Sequence, residues 1–285
     1  MPSMDVGGVN LHYEESGAGL PMVFCHGIPT DGRAWTSQVG PFSKDRRVIT
    51  YSRRYAHPNS REGDVSDSTV ENNASDLRGL IEHLGAGPVD LVGHSYGGFI
   101  AAYLAAEHPE LIRSLVLVEP AISTLLVEDA GSQGQMLSLL LRSPSVALSA
   151  RRFQSRSLKP SLRALDAGET EKAVELNVDG VQDMDGAFAA MPEAQREMML
   201  DNVRTIAELR TRFPPFKSRI GGIASRTLVI NGAESALWLR RIATLSASLI
   251  PHAECVSISK ARHFPHIENA AEFNASLMRF LSASR

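Results

Sequence analysis

A serine between two glycines is the strongest candidate for chemistry in this sequence. The segment Gly93-His-Ser-Tyr-Gly97 has the pattern G-x-S-x-G. It directly follows the apolar run 89–92 and precedes an alanine-rich helical stretch. A sharp turn from a strand into a helix requires glycine where a Cβ atom would clash, and it lifts the serine hydroxyl above the sheet. We therefore predict that Ser95 is a nucleophile.

A histidine near the end of the chain could activate this serine. A serine hydroxyl is a weak nucleophile until a base removes its proton. His263 follows the last predicted strand and precedes the last predicted helix. His266 is the rival for this role, but it falls where the final helix is about to begin. We favour His263 as the general base.

Attack of the serine on an acyl carbon produces an oxyanion, which needs two backbone N–H donors. One predicted donor is the N–H of Tyr96, the residue after the nucleophile. The other is the N–H of Ile28, in the loop His26-Gly-Ile-Pro29 that follows the apolar run 22–25. Pro29 has no N–H and cannot serve.

The elements that must position these residues alternate between strand and helix. Short, β-branched and continuously apolar runs are typical of strands buried on both faces of a parallel sheet. These runs are 9–14, 22–25, 47–51, 89–92, 114–118, 226–230 and 254–258. Helical spacing of apolar residues lies between several of them. This alternation predicts an α/β architecture with parallel crossovers.

The alternation stops between residues 122 and 215. This stretch has no convincing strand and is rich in Leu, Met, Arg and Ala. Helical stripes are predicted at 136–141, 174–178 and 198–206, with breaks at Pro160, Pro192, Pro214 and Pro215. We predict that residues 122–215 are a helical cap inserted into a core domain formed by residues 1–121 and 216–285.

The candidate residues resemble one known family in type, order and spacing. His26-Gly27, the G-x-S-x-G at 93–97 and the terminal His263 match the pattern of the α/β-hydrolase fold family, in its small esterase, C–C hydrolase and perhydrolase branch. The resemblance covers nearly the whole chain. It implies an eight-stranded, mostly parallel sheet flanked by helices, with the all-helical cap inserted after the sixth strand. It also implies acyl transfer from a small-molecule substrate to Ser95 and then to water, without a cofactor or metal.

The sequence departs from the family pattern at the acid that orients the histidine. The family usually places an aspartate a few residues past the strand at 226–230, but this chain has Asn231-Gly-Ala-Glu-Ser235 there. A serine cannot carry the negative charge that stabilises an imidazolium. We favour Glu119, because it lies at the carboxyl end of strand 114–118, where the sites of parallel sheets gather. Glu234 is the alternative, and a missing acid is the third interpretation.

Three further residues near strand ends are candidates for binding substrate. Arg53 and Arg54 follow the run 47–51, and a guanidinium is well matched to a substrate carboxylate. For at least one of these arginines we favour a structural role that ties loops together. His26, beside the predicted oxyanion loop, is the third candidate.

Composition excludes several classes of protein. The 285 residues carry a net charge of −3, from 29 basic and 32 acidic residues, so nothing indicates nucleic-acid binding. Neither a secretory signal nor an apolar segment of roughly 18 residues is visible, which predicts a cytoplasmic protein without membrane contact. Two cysteines cannot build a disulfide framework or a four-thiolate zinc site. Cys25 and Cys255 each lie in an apolar run and are therefore expected to be buried.

Three functions remain open on this reasoning. Hydrolysis of a small, largely apolar carboxylic ester is favoured. A C–C bond or lactone hydrolase with the same catalytic residues is the alternative within enzymes. A non-catalytic ligand-binding receptor on a hydrolase scaffold is the alternative from another class.

Overall fold

An eight-stranded sheet forms the centre of the computed structural model, which describes residues 2–59, 63–129 and 132–282. The strands are β1 Ser3–Val6, β2 Val9–Ser16, β3 Leu20–Cys25, β4 Arg46–Tyr51, β5 Val89–His94, β6 Ile112–Val118, β7 Arg226–Gly232 and β8 Glu254–Ile258. Their order across the sheet is β1-β2-β4-β3-β5-β6-β7-β8. β2 pairs antiparallel with both β1 and β4, and the remaining pairs are parallel. The predicted eight-stranded, mostly parallel sheet is confirmed.

Helices cover both faces of this sheet. They are α1 Thr36–Phe42, α2 Val70–His83, α3 Tyr96–Glu107, α10 Leu237–Leu249, α11 Pro265–Glu268 and α12 Ala270–Ser282. Alternate residues of a strand point to opposite faces, so Val23 and Leu91 belong to one buried cluster while Phe24 and Val92 belong to the other. All six residues of β5 are buried, including Asp90, whose carboxylate forms ion pairs with Arg46 and Arg113.

The two ends of the sheet differ most from the sequence-based expectations. The pattern missed β1, because Met4 is its one buried residue and no apolar run marks it. At the other end, β8 is an edge strand whose Cys255 is exposed. The expectation that Cys255 is buried is therefore wrong. The apolar run predicted a strand, but it could not show that this strand lies at the edge of the sheet, where side chains are less covered. Cys25, in β3, is buried as expected.

Helices also fill the chain between β6 and β7. They are α4 Gln133–Arg142, α5 Pro144–Phe153, α6 Lys159–Asp166, α7 Thr170–Gln182, α8 Ala187–Ala190 and α9 Glu193–Asp201. A π-helical turn, Gln154–Leu158, joins α5 to α6, and a 3-10 segment, Val203–Arg210, follows α9. No strand occurs in residues 119–129 and 132–225. None of the helices in the described ranges is long and apolar enough to cross a membrane.

Pro160 lies in the first turn of α6, where a new α-helix begins after the π-helical turn, within one residue of the predicted break. One detail predicted for this insertion is wrong. The single stripe predicted at 198–206 is divided at Asn202. The side chain of Asn202 donates to Asp31 and to the carbonyl of Met198, each at 2.7 Å. The domain boundaries at residues 122 and 215 stay a prediction.

Candidate active site

Ser95 lies at the apex of the turn between β5 and α3. Its backbone angles, φ 52° and ψ −117°, are a strained conformation for a residue with a side chain. The N–H of Ser95 donates to the carbonyl of Val118 at 2.9 Å, which anchors the turn to β6. A Cβ atom on Gly97 would collide with the carbonyl oxygens of His26 and Cys25. Glycine is therefore required where α3 presses against the end of β3.

The imidazole of His263 lies against this serine. Its Nε2 is 3.0 Å from the Oγ of Ser95, and the side chain is buried in the loop between β8 and α11. Burial lowers the pKa of His263 to about 3, so that the ring is neutral and can accept a proton. The rival, His266, packs on Trp35 instead, with the ring centroids 4.4 Å apart.

Glu119 extends this hydrogen-bonded series on the other side of His263. Its Oε2 is 3.4 Å from Nδ1 of His263, longer than an ordinary hydrogen bond, and such contacts in unliganded sites tighten when substrate binds. Its Oε1 accepts hydrogen bonds from the N–H of Gly232 at 2.6 Å and the hydroxyl of Ser235 at 2.7 Å. Burial raises the pKa of Glu119 to about 8, while these two hydrogen bonds favour the charged form and oppose that rise.

Two residues that follow β7, Glu234 and Ser235, have different partners. Ser235, where the family pattern would place an aspartate, donates its hydroxyl hydrogen to Glu119. Glu234 instead forms an ion pair with Arg262 at 3.5 Å, and its side chain is 53% exposed. Of the two carboxylates considered from the sequence, the structure brings Glu119 to the ring of His263.

Two backbone N–H groups next to Ser95 have no acceptor. Within the described ranges, neither the N–H of Ile28 nor that of Tyr96 donates to a protein group. Both residues line the same cavity as Ser95. Tyr96 is the first residue of α3, where the helix dipole favours a negative charge. This arrangement can stabilise an oxyanion that develops beside the Oγ of Ser95.

A cavity of about 180 Å³ opens onto Ser95 and His263. Its wall is mostly apolar and comes largely from the insertion between β6 and β7, including Met136, Leu139, Phe153, Leu158, Val181 and Phe213. The polar lining residues other than the candidate catalytic ones and Tyr96 are Ser123, Arg151, Gln154 and Asn177. The described part of the chain contains no group of three or more His, Cys, Asp or Glu side chains that could hold a metal ion. The site is therefore suited to a small, largely apolar molecule.

Arg53 and His26 are engaged with each other and with the insertion. The buried guanidinium of Arg53 donates to Glu208 at 2.8 Å and to the carbonyl of His26 at 3.1 Å. The ring of His26 donates from Nδ1 to the carbonyl of Gly27 at 2.9 Å and accepts the N–H of Arg53 on Nε2 at 2.9 Å. These contacts fix the loop that carries Ile28.

Arg54 is held in a similar way. Its Nε and Nη2 donate to the two carboxylate oxygens of Asp76, each at 2.7 Å. None of His26, Arg53 and Arg54 lines the cavity. The structure therefore uses these three candidate substrate-binding residues to tie loops together, which is the role favoured for at least one of the arginines.

Sequence reasoning missed the residues that hold the backbone around His263. The side chain of Gln182, at the end of α7, accepts the N–H of His263 at 2.9 Å and donates to Glu268 at 3.0 Å. Glu268 in turn accepts the N–H groups of Arg262 and Phe264. No sequence pattern marks Gln182, because it lies far from His263 along the chain.

Comparisons with known proteins agree with this geometry. A family model described as "alpha/beta hydrolase fold" matches residues 21–270. A 2-hydroxymuconate semialdehyde hydrolase from Pseudomonas sp. (strain CF600) is 27% identical, over 96% of this chain and 91% of its own. Lipase LipV from Mycobacterium tuberculosis is 29% identical over 48% of this chain and 50% of its own. The solved structure of a hydrolase from Pseudomonas aeruginosa PA01 has a TM-score of 0.70 at 21% identity, covering 98% of this chain and 97% of its own.

Proposed function

The chain belongs to the α/β-hydrolase fold family, and from this premise we propose that it is a serine hydrolase that cleaves a small, largely apolar carboxylic ester. The observation that carries the proposal is the hydrogen-bonded series Ser95–His263–Glu119, which opens onto an apolar cavity. Serine, imidazole and carboxylate in this order form the constellation that performs acyl transfer on several unrelated folds.

In the first half of the proposed reaction, the Oγ of Ser95 attacks the ester carbonyl carbon while its proton passes to Nε2 of His263. The N–H groups of Ile28 and Tyr96 hydrogen-bond to the oxyanion. The carboxylate of Glu119 stabilises the imidazolium. This imidazolium then donates its proton to the departing alkoxide, and the acyl group remains on Ser95.

In the second half, a water molecule attacks the acyl-enzyme. His263 takes a proton from this water, and the same two N–H groups stabilise the second oxyanion. When the intermediate collapses, the Oγ of Ser95 recovers a proton from His263 and the carboxylic acid product leaves. The cycle consumes one water molecule and restores the protein.

The preference for an uncharged substrate is supported by the cavity wall. Among the described lining residues, Arg151 is the one cationic side chain outside the catalytic series, and it is exposed. Arg53 and Arg54 are occupied by Glu208 and Asp76. Outside the proposed catalytic residues, Arg151 is therefore the one counter-charge that the described lining offers to a charged group that loses its hydration in the cavity.

Hydrolysis of a C–C bond is the second candidate function. The specific observation in its favour is the similarity to a 2-hydroxymuconate semialdehyde hydrolase over 96% of this chain. Both candidate reactions require Ser95 and His263, so substitutions at the site do not separate them. Product analysis does, because ester hydrolysis yields an alcohol and an acid, whereas C–C hydrolysis of a diketone yields a ketone and an acid.

A fluorophosphonate probe tests the proposal. We expect it to label the wild-type protein on Ser95, and we expect Ser95→Ala to abolish both labelling and hydrolysis of 4-nitrophenyl butyrate. Ser123→Ala is the matched control, because Ser123 lines the same cavity without contacting His263, and it should still be labelled. Absence of wild-type labelling, together with equal ligand binding by wild type and Ser95→Ala, would favour the non-catalytic receptor instead.

A further inference from the structure

Asn177 is a buried polar residue in the apolar wall of the cavity. It is 2% exposed and lines the cavity from α7. Among the described residues no hydrogen bond joins its side-chain amide to another protein group, and the amide is not one of the fully enclosed polar groups without a partner, so it borders the cavity space. Val181, one helical turn further along α7, lines the same cavity, so this face of the helix is directed at the substrate space.

This position differs from the other polar positions of the wall. Arg151 and Gln154 are exposed and Ser123 is partly buried, so solvent can satisfy their polar groups. Asn177 is almost fully buried as a residue, so its amide can reach only the space inside the cavity. Asparagine is also a poor residue for a helix interior. Folding alone would favour an apolar side chain here, so the amide indicates a ligand group that hydrogen-bonds to it.

The chemistry of an amide limits what that ligand group can be. Asparagine offers two N–H donors and one carbonyl acceptor, but no charge. A carboxylate or an ammonium group bound to Asn177 would gain no counter-charge from the neutral amide to offset the loss of its hydration, which is costly. A ketone, amide or hydroxyl group can pair with Asn177 at much smaller cost.

We propose that the substrate is an uncharged ester or lactone whose apolar chain carries one further neutral polar group, and that Asn177 binds this group. The proposal rests on the serine hydrolase function proposed above and names the substrate class of that site. Asn177 acts in binding, and Ser95 with His263 performs the chemistry. Esters that are apolar throughout are then poorer substrates, because they leave the amide unpaired.

The test uses 4-nitrophenyl octanoate and its analogues with a keto group at C4, C5, C6 or C7. A second series carries the keto group on the alcohol chain of octyl butyrate instead. We expect wild type to prefer one keto ester over its parent by about tenfold in kcat/KM, the effect of one well-placed hydrogen bond. Asn177→Leu keeps the number and branching of the side-chain heavy atoms without the amide, and we expect it to abolish or invert this preference.

Val181→Leu is the matched control, because it changes the same helix face without removing a hydrogen-bonding group. It should retain the preference for the keto ester, whatever its effect on the overall rate. Asn177→Leu should not lower the melting temperature, since it removes no hydrogen bond to another described residue.

Two results would overturn the inference while the proposed function stands. The first is an equal keto-to-parent ratio in wild type and Asn177→Leu for every probe of both series, with fluorophosphonate labelling intact. The second is an equal loss for all probes together with a lower melting temperature, which would make Asn177 a structural residue. Failure of the proposed function gives another pattern, because neither labelling of Ser95 nor hydrolysis of any probe would then be seen.

Discussion

At the scale of single residues, the carboxylate beside His263 comes from an unusual place for this family. Glu119 lies at the end of β6, and Ser235 stands after β7, where the family usually has an aspartate. The two side chains are joined by a hydrogen bond of 2.7 Å. The site therefore keeps a carboxylate at Nδ1 of the imidazole, although a different strand supplies it.

The position of Glu119 beside Nδ1 of His263 predicts that this carboxylate is needed for activity. We expect Glu119→Gln to lower kcat by about 10⁴-fold, because an amide no longer fixes the reactive tautomer of His263 or stabilises its charged form. The matched control is Glu234→Gln, which should stay near the wild-type rate, since Glu234 pairs with Arg262. Steady-state kinetics with 4-nitrophenyl butyrate measures both variants. Loss of activity in Glu234→Gln alone would show that Glu119 is not the acid.

Ser235 should control the pH at which the site becomes active. Burial raises the pKa of Glu119 to about 8, and the hydrogen bond from Ser235 opposes this rise. The active site needs the ionised carboxylate, so kcat/KM should increase as the pH rises through the titration of the coupled Glu119–His263 pair. Ser235→Ala removes a hydrogen bond that favours the charged form, and we expect it to move this increase to higher pH.

The measurement for Ser235 is a profile of kcat/KM between pH 5 and pH 10, taken for wild type and two variants. Ser235→Thr retains the hydroxyl and should keep the wild-type profile. Ser235→Ala should lose activity near neutral pH and recover most of it at the alkaline end. An unchanged profile, or a shift to lower pH, would contradict the role given to Ser235.

At the scale of elements, α7 connects the insertion to the loop that carries His263. Its last residue, Gln182, accepts the N–H of His263, and Asn177 on the same helix lines the cavity. The histidine loop is also tied to the nucleophile turn, because the ring of His94 donates to the carbonyl of His263 at 2.8 Å. One helix of the insertion therefore lines the cavity and also contacts the backbone of the proposed general base.

Loss of the Gln182 contact should affect the reaction more than substrate binding. We expect Gln182→Ala to lower kcat about tenfold with little change in KM, because the unpaired N–H lets the His263 loop depart from its reactive position. Labelling by fluorophosphonate should slow in parallel. Glu175→Gln, on the solvent side of α7, is the control and should change neither quantity. A change in KM alone would argue against a positioning role.

At the scale of the whole molecule, a buried ion pair joins the insertion to the sheet. Arg53 follows β4 and Glu208 lies in the 3-10 segment after α9, and both side chains are fully buried at an N–O distance of 2.8 Å. Arg53 also lies over the ring of Tyr96, with its guanidinium carbon 5.0 Å from the centroid. The pair thus links the cap to the loops on both sides of Ser95.

Breaking this pair should destabilise the whole fold. Removal of one partner leaves an uncompensated buried charge, so we expect Glu208→Gln or Arg53→Met to lower the free energy of unfolding by about 3–5 kcal/mol. The double variant should lose less than the sum of the two single losses. Urea denaturation monitored by circular dichroism provides the values.

The exposed pair Arg210–Asp166 supplies the control for the buried one. Both side chains are more than 40% exposed, and such surface pairs contribute about 0–1 kcal/mol. Asp166→Asn should therefore change the free energy of unfolding by less than about 1 kcal/mol. Equal losses for Glu208→Gln and Asp166→Asn would contradict the proposed link between cap and sheet.

Much of the fold could be read from local patterns. Strands β3 to β7 have continuous apolar runs because both of their faces are buried, and this signal needs no knowledge of neighbouring elements. The signal failed at the sheet ends, where β1 has one buried residue and Cys255 on β8 is exposed.

The sequence by itself determined the strand-to-helix turn at Ser95 and the position of the loop that carries His263. The turn at Ser95 and the short apolar strands depend on residues that are adjacent along the chain, so the sequence pattern alone predicts them. Only the tertiary structure decided that Glu119 rather than Glu234 faces His263, that Arg53 and Arg54 are occupied by carboxylates, and that cap residues reach the site. These contacts join residues far apart along the chain, and their geometry depends on how the cap packs on the sheet, which no local pattern encodes.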